Sequence, residues 1–248
     1  MISRLRIPLL VSGLMAALSA AQAAPVVYFG ENQAPAQTVT GNPLTAHNDF
    51  LSHLSGVGTE TFESLTAGTT ANTTPLNLTF PGSTGSITAA LSGEGSVFAS
   101  PSSAGRFNTT GAEAGPKAGQ WWYVSGAFEL NFSTAISAFG FYGTDIGDFE
   151  GQVTISLTDA AGAVTDMTVN NTVNGTDGSL LFWGFIDNDK SYTKITFGNT
   201  AAGVDQFGFD DMVIGDLDQI VPPNVPEPAT LALVALALAG MGVARRRR

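Results

Sequence analysis

Along this chain the hydrophobic pattern changes its period near residue 55. In QVTISLTD, Val153, Ile155 and Leu157 alternate with Thr154, Ser156 and Thr158, and AFELNF repeats the alternation with Phe128, Leu130 and Phe132. A period of two puts one side-chain set on each face of a strand. GTETFES, LNLTF, GSITAAL, ISAFGFYG, VTDMTVN, LLFWGFID, YTKITFG and VDQFGFDDMVIG read as further strands. Asn174-Gly175 and Asp177-Gly178 supply turn chemistry between two of them. About ten short strands without intervening helices predict an all-β fold, an antiparallel two-sheet sandwich of jelly-roll type. Before the period changes, NPLTAHNDFLSHL predicts one short N-terminal helix. Asn42 is its expected cap, Pro43 lies in the first turn, and Leu44, Leu51 and Leu54 are near helical spacing.

The two ends follow other patterns. Arg4 and Arg6 precede the apolar run IPLLVSGLMAALSA, and Ala21-Gln22-Ala23 forms an A-x-A cleavage site. Residues 1–23 therefore read as a signal peptide, handled by the Sec translocon and signal peptidase, with the mature chain starting near Ala24. At the other end a Pro-rich linker leads into sixteen uncharged, mostly apolar residues, 229–244, and then four arginines. At 1.5 Å per residue that run makes about 24 Å of helix, short against a hydrocarbon core of about 30 Å. It is expected as a single C-terminal transmembrane helix whose arginines stay in the cytoplasm. The domain plan is thus a signal peptide at 1–23, a β-sandwich at 24–221 and a tail at 222–248.

Composition narrows the function. The 248 residues include 29 glycines, 12 prolines and no cysteine, so disulfides and thiolate chemistry are excluded. The formal net charge is −11, and both ends mask a stronger imbalance. Between Ala24 and Asn224 only Arg106, Lys117, Lys190 and Lys194 oppose twenty of the 21 acidic residues. Nucleic acid is a poor partner for such a surface, whereas cations are attracted to it.

Three clusters could carry chemistry. In QFGFDDMVIGD, a regular strand would put Phe207, Phe209, Asp211 and Val213 on one face and Asp210, Met212 and Ile214 on the other. Each carboxylate then shares a face with large apolar groups unless a bulge intervenes, and needs a hydrogen-bond cage, a cation or a metal. Calcium, bound by hard oxygen ligands, suits Asp210 and Asp211, with Glu63 of TFESL as companion if the first and last strands lie side by side. The turn GTDIGDFEG, with Asp145, Asp148 and Glu150, reads as a soluble acidic hairpin. Trp121, Trp122 and Tyr123 follow a long polar loop at 100–120, so one side of a strand there could offer Trp121 or Trp122 to a glycan ring. His47 and His53 are six apart and do not form an H-x-x-x-H pair, and no G-x-S-x-G, H-E-x-x-H or phosphate-loop motif occurs. No catalytic residue is nominated.

The C-terminal pattern resembles the PEP-CTERM sorting signal of bacterial proteins handled by exosortase. Its matching elements are Pro226, Glu227 and Pro228, the apolar run, and Arg245, Arg246, Arg247 and Arg248. The Glu63, Asp210 and Asp211 arrangement resembles the structural calcium site of jelly-roll carbohydrate-binding modules. These resemblances imply an exported protein, anchored transiently in the inner membrane and then delivered by exosortase to the cell surface or extracellular matrix. The expected role is non-catalytic, with exopolysaccharide as ligand and calcium as structural ion. A secreted carbohydrate-active enzyme on the same scaffold and a self-assembling biofilm matrix protein remain open as rivals.

Overall fold

The structure, a computed structural model, describes residues 24–32, 38–99, 105–111, 118–124, 126–147, 151–172, 179–200 and 205–222. The signal peptide, the linker and sorting residues at 226–228, the apolar run 229–244, the arginines 245–248, Asp148, Glu150 and the two Asx-Gly turns lie outside them. No helix among the described residues is long and apolar enough to cross a membrane.

Thirteen strands and one helix are described, in the order β1 Val26–Asn32, α1 Gly41–Ser52, β2 Gly58–Glu60, β3 Leu76–Gly82, β4 Gly85–Gly93, β5 Ser96–Ala99, β6 Gln120–Val124, β7 Phe128–Ile136, β8 Ala138–Thr144, β9 Val153–Asp159, β10 Val164–Thr168, β11 Leu180–Ile186, β12 Tyr192–Asn199 and β13 Phe207–Gly215. A 3-10 turn at Leu217–Gln219 follows β13. One sheet has the order β1-β11-β8-β13-β6-β5, with β2 also on β13, and the other the order β10-β9-β12-β7-β4-β3. The pairings within both sheets are antiparallel, as the period-two pattern requires.

The sheets differ in how they meet water. In β9, buried Val153, Ile155 and Leu157 alternate with half-buried Thr154, Ser156 and Thr158. That sheet buries its inner face and wets its outer one. β8, β11 and β13 are buried along their whole length. Their inner residues join the core between the sheets, where Phe128 and Phe197 stack at 4.3 Å and Phe209 meets both edge-on. Their outer residues, including Tyr142, Phe182 and Val213, form a second cluster under α1. This second covering explains the near-continuous apolar runs LLFWGFI and AFGFY.

The helix differs in detail from the expected one. Thr40, not Asn42, occupies the N-cap, and its side chain makes no capping bond. Within the helix Pro43, Ala46 and Phe50 are buried, while Leu44 and Leu51 are half-buried against the same cluster and Leu54, just past the helix, belongs to it. Glycines let this face come close: a Cβ at Gly184 would lie 3.1 Å from Phe50 Cδ2, and one at Gly30 only 2.2 Å from the Asn42 carbonyl oxygen. The helix therefore rests directly on backbone, leaning against β1.

Candidate functional site

Two places in the fold gather polar side chains beyond what the sheets require. The first is the acidic stretch of β13. The early acidic segment and the last strand do lie side by side, since β2 pairs with β13 through Met212 opposite Glu60. The regular alternation expected for QFGFDDMVIGD is broken, however. The register of β13 on β8 shifts between Asp210 and Val213, and Asp211 adopts φ 48°, a left-handed conformation that favours glycine. The bulge lets Phe207, Phe209, Met212 and Ile214 all reach the inter-sheet core while Val213 faces the helix cluster. It also turns both carboxylates towards the loop at 105–111 instead of leaving them among phenylalanines.

There they are held by threonines. Asp210 Oδ1 accepts the Asp211 N–H at 2.8 Å, and Oδ2 accepts the Thr109 N–H at 2.7 Å. Thr109 Oγ1 lies 3.0 Å from Asp210 Oδ2 and 2.8 Å from Asp211 Oδ2. The Thr110 hydroxyl donates to Asp211 Oδ1 at 2.8 Å, and Asn108 Oδ1 accepts the Thr110 N–H. One threonine hydroxyl carries one proton, yet Thr109 Oγ1 touches two carboxylates. All contacts are satisfied if Asp210 is protonated and donates to Thr109, which donates to Asp211. Burial, then the neighbouring Asp211 charge, push Asp210 well above the usual carboxylate range.

Glu63 stands apart from this pair. Its Oε1 accepts the Gln120 N–H at 3.1 Å, while Gln120 Nε2 donates to the Glu63 and Leu65 carbonyls. Glu63 and Asn108 both crowd Gly119, where a Cβ would lie 2.2 Å from Glu63 Oε1 and 2.1 Å from Asn108 Nδ2. No group of three or more acidic or histidine side chains spaced to hold a metal occurs among the described residues. The charge of the Asp210–Asp211 pair suits a cation, whereas the ligand set it offers is two carboxylates and two hydroxyls.

The other sequence candidates fall in unexpected surroundings. Trp121 and Trp122 are both fully buried. Trp122 packs in the inter-sheet core with its ring 6.3 Å from Phe62. Trp121 points to the opposite face, as alternation requires, but lies against Phe98 and Tyr123. Neither ring is open to a glycan, although Phe98 directly opposite Trp121 is itself 42 % exposed. Asp145 is not an exposed turn acid either. It is 2 % exposed and bonded at 2.6 Å to Arg106, which also lies over the Tyr123 ring. The histidines serve packing: His47 meets the rings of Tyr142 and Phe182, and His53 lies beside Tyr28.

The second place is one the sequence reading passed over. A groove of about 920 Å³ runs between β1, an edge strand, and α1. Asn42, Thr45, Asn48, Asp49 and Ser52 line its helix side, at the three- and four-residue spacing of one helix face. Tyr28, Val26 and Glu31 line its strand side. Asn42 Nδ2 donates to the Glu31 carbonyl, and the Tyr28 ring is propped against Phe50 at 5.6 Å. Burial, then Asp49, raise the Tyr28 hydroxyl above its ordinary range, so it remains a neutral donor. The groove thus combines amides, hydroxyls, two acidic residues and the aromatic residues Tyr28 and Phe29, with no basic residue in its lining. The signal was present in the polar face of NPLTAHNDFLS, but only beside a strand does it become a groove.

No curated protein matches the chain. Among solved structures, a point mutant of CBM29-2, titled as probing ligand recognition by family 29 carbohydrate binding modules, aligns at 20% identity and TM-score 0.30. The alignment covers 44% of this chain and 81% of that one. A second CBM29-2 mutant aligns over 81% of this chain and 99% of its own, at 13% identity and TM-score 0.28. TmCBM61 in complex with β-1,4-galactotriose aligns over 51% of this chain and 86% of its own, at 13% identity and TM-score 0.28. Likeness at this level fixes neither topology nor ligand, and nothing about binding is transferred from these proteins. The C-terminal end is identified more directly: residues 224–248 match the family model of the PEP-CTERM protein-sorting motif, and the chain is a protein carrying that motif.

Proposed function

We propose that this is an exported, non-catalytic polysaccharide-binding protein of the cell surface or extracellular matrix. The observation that carries the reading is the PEP-CTERM motif at 224–248 behind an all-β sandwich. The leader would pass through the Sec translocon and be removed by signal peptidase. The apolar run 229–244 would hold the chain in the inner membrane until exosortase processes the tail. The groove between β1 and α1 supports the binding half. Its planar amides and Asp49 suit the paired hydroxyls of a neutral glycan, and Tyr28 offers a ring for stacking. Its acidic lining disfavours anionic polymers. Calcium belongs to the proposal as a structural ion at Asp210 and Asp211, with the Thr109 and Thr110 hydroxyls as further oxygens and chemistry limited to charge neutralisation.

Retention on the exopolysaccharide of the source organism tests the binding half. Tyr28→Ala and Asn48→Ala should each abolish retention, with the melting temperature little changed in exposed Asn48→Ala. Retention equal to wild type in both variants would remove the groove from the proposal, and turnover of the polymer would favour the enzyme reading. A melting increase with added calcium, lost in Asp211→Asn, tests the ion; no response to calcium or chelator would dismiss it.

A further inference from the structure

The two ends of the described chain leave the sandwich at the same place. Val26 starts β1 opposite Ile186, Ile186 lies opposite Ala138, and Ala138 opposite Gly215, so these residues define one end of the first sheet. Beyond Gly215 the chain makes its 3-10 turn, bridges Leu54 at Ile220 and donates the Val221 N–H to the His53 carbonyl. Val26, Tyr28, Ile186, Ile220 and Val221 line a single hollow of about 380 Å³ there. The second sheet ends on the same side, because Ser137 alone separates β7 from β8, and Val164 pairs with Thr158 of β9, which lies opposite Lys194 near the Tyr192 end of β12.

This end also carries most of the exposed large apolar side chains. Val26 is 49 % exposed, Val164 57 %, Leu217 45 % and Val221 41 %, with Val27 one residue further along β1. Phe98, on β5, is the exception among the described residues. The chain outside the structure limits where this end can be. Only residues 223–228 separate Pro222 from the apolar run at Ala229, a span of at most about 25 Å. A nine-residue strand such as β13 is itself about 30 Å long. With the run in a bilayer, the end bearing Val221 is therefore held near the membrane.

We infer that this end of the sandwich is a membrane-facing surface, seating its valines and Leu217 on a zwitterionic lipid surface while the tail is anchored. The inference rests on the anchor reading of residues 229–244. The acidic body repels anionic lipid, and a few half-exposed aliphatic side chains bind too weakly to hold a free domain. The contact depends on the high effective concentration that the short linker imposes. Removing the tail therefore releases the domain without any change in its fold, and the membrane contact reports whether sorting is complete.

The absence of cysteine makes the test direct. Full-length chains carrying Val221→Cys or, at the opposite end, Asn77→Cys are labelled with a fluorophore. They are reconstituted in phosphatidylcholine vesicles containing a nitroxide-headgroup lipid, and floated. Quenching should be about threefold or more stronger at position 221 than at 77, and adding Val26→Asp and Leu217→Asp should reduce it about twofold. Chains that float with equal quenching at both positions overturn this inference and leave the anchor reading standing. Chains that do not float overturn the anchor reading, and this inference with it.

Discussion

Replacing Asp210 by alanine removes the acceptor of the Asp211 N–H, the Thr109 N–H and a contact of the Thr109 hydroxyl in one step. Both backbone donors are on buried residues, Asp211 at the bulge at 8 % exposed and Thr109 in the facing loop at 1 %. An unsatisfied buried donor costs about 1–3 kcal/mol, and relief of the carboxyl's own burial offsets part of that. A net loss of about 3 kcal/mol is expected at acid pH. For a domain of this size that is about 6–12 °C in melting temperature. The pH dependence gives the sharper test. Burial, then the Asp211 charge, hold the folded pKa of Asp210 well above the ordinary carboxylate range, so above that range the native state keeps a proton that the unfolded chain releases. Its stabilising contribution is complete below the unfolded value and falls as pH rises through the folded one, where the carboxylate must ionise beside Asp211. The penalty of Asp210→Ala should therefore shrink as pH rises above the ordinary carboxylate range when both proteins are melted in chelator. A penalty that is constant, or grows with pH, would refute the proton chain through Thr109. Glu60 is raised in the same direction by burial, but it is common to both proteins and cancels in the difference.

Phe197→Ala should cost about 3–5 kcal/mol in chemical denaturation, because Phe197 stacks on Phe128 and meets Phe139, Phe141 and Phe209 between the sheets. A loss below about 1 kcal/mol would mean that the sheets do not pack through this cluster. Gly30→Ala should lift α1 off β1, since its Cβ would fall 2.2 Å from the Asn42 carbonyl oxygen. About 1–3 kcal/mol of destabilisation and faster amide exchange in 41–52 are expected, with no such change in β9. Unchanged exchange in the helix would contradict its close seating on the strand.

Period-two alternation exposed β9 and β7 directly, because one face of their sheet is wet. Counting such segments was enough to identify a two-sheet sandwich. β1 escaped because VVYF is apolar on both faces and follows directly on the apolar leader, so its pattern merges with a segment of different purpose. SVFA is too short for a period to show. At the candidate sites, the neighbourhood of the early acidic segment and β13 was legible, whereas the bulge at Asp211 was not. A positive φ at a non-glycine residue is imposed by tertiary contacts, here the Thr109 and Thr110 hydroxyls arriving from a loop about a hundred residues away. The burial of Trp121 was hidden for a related reason. Alternation tells which way a ring points, not whether a helix or loop covers that face.

Export and sorting of this β-sandwich through its C-terminal tail would leave a chemical trace at both ends of the mature chain. The intact mass of the protein recovered from the native cell surface or medium tests it most directly. The expected species begins near Ala24 and has lost Arg245, Arg246, Arg247 and Arg248 together with the apolar run before them. A surface or secreted form that retains those arginines would contradict sorting through the tail.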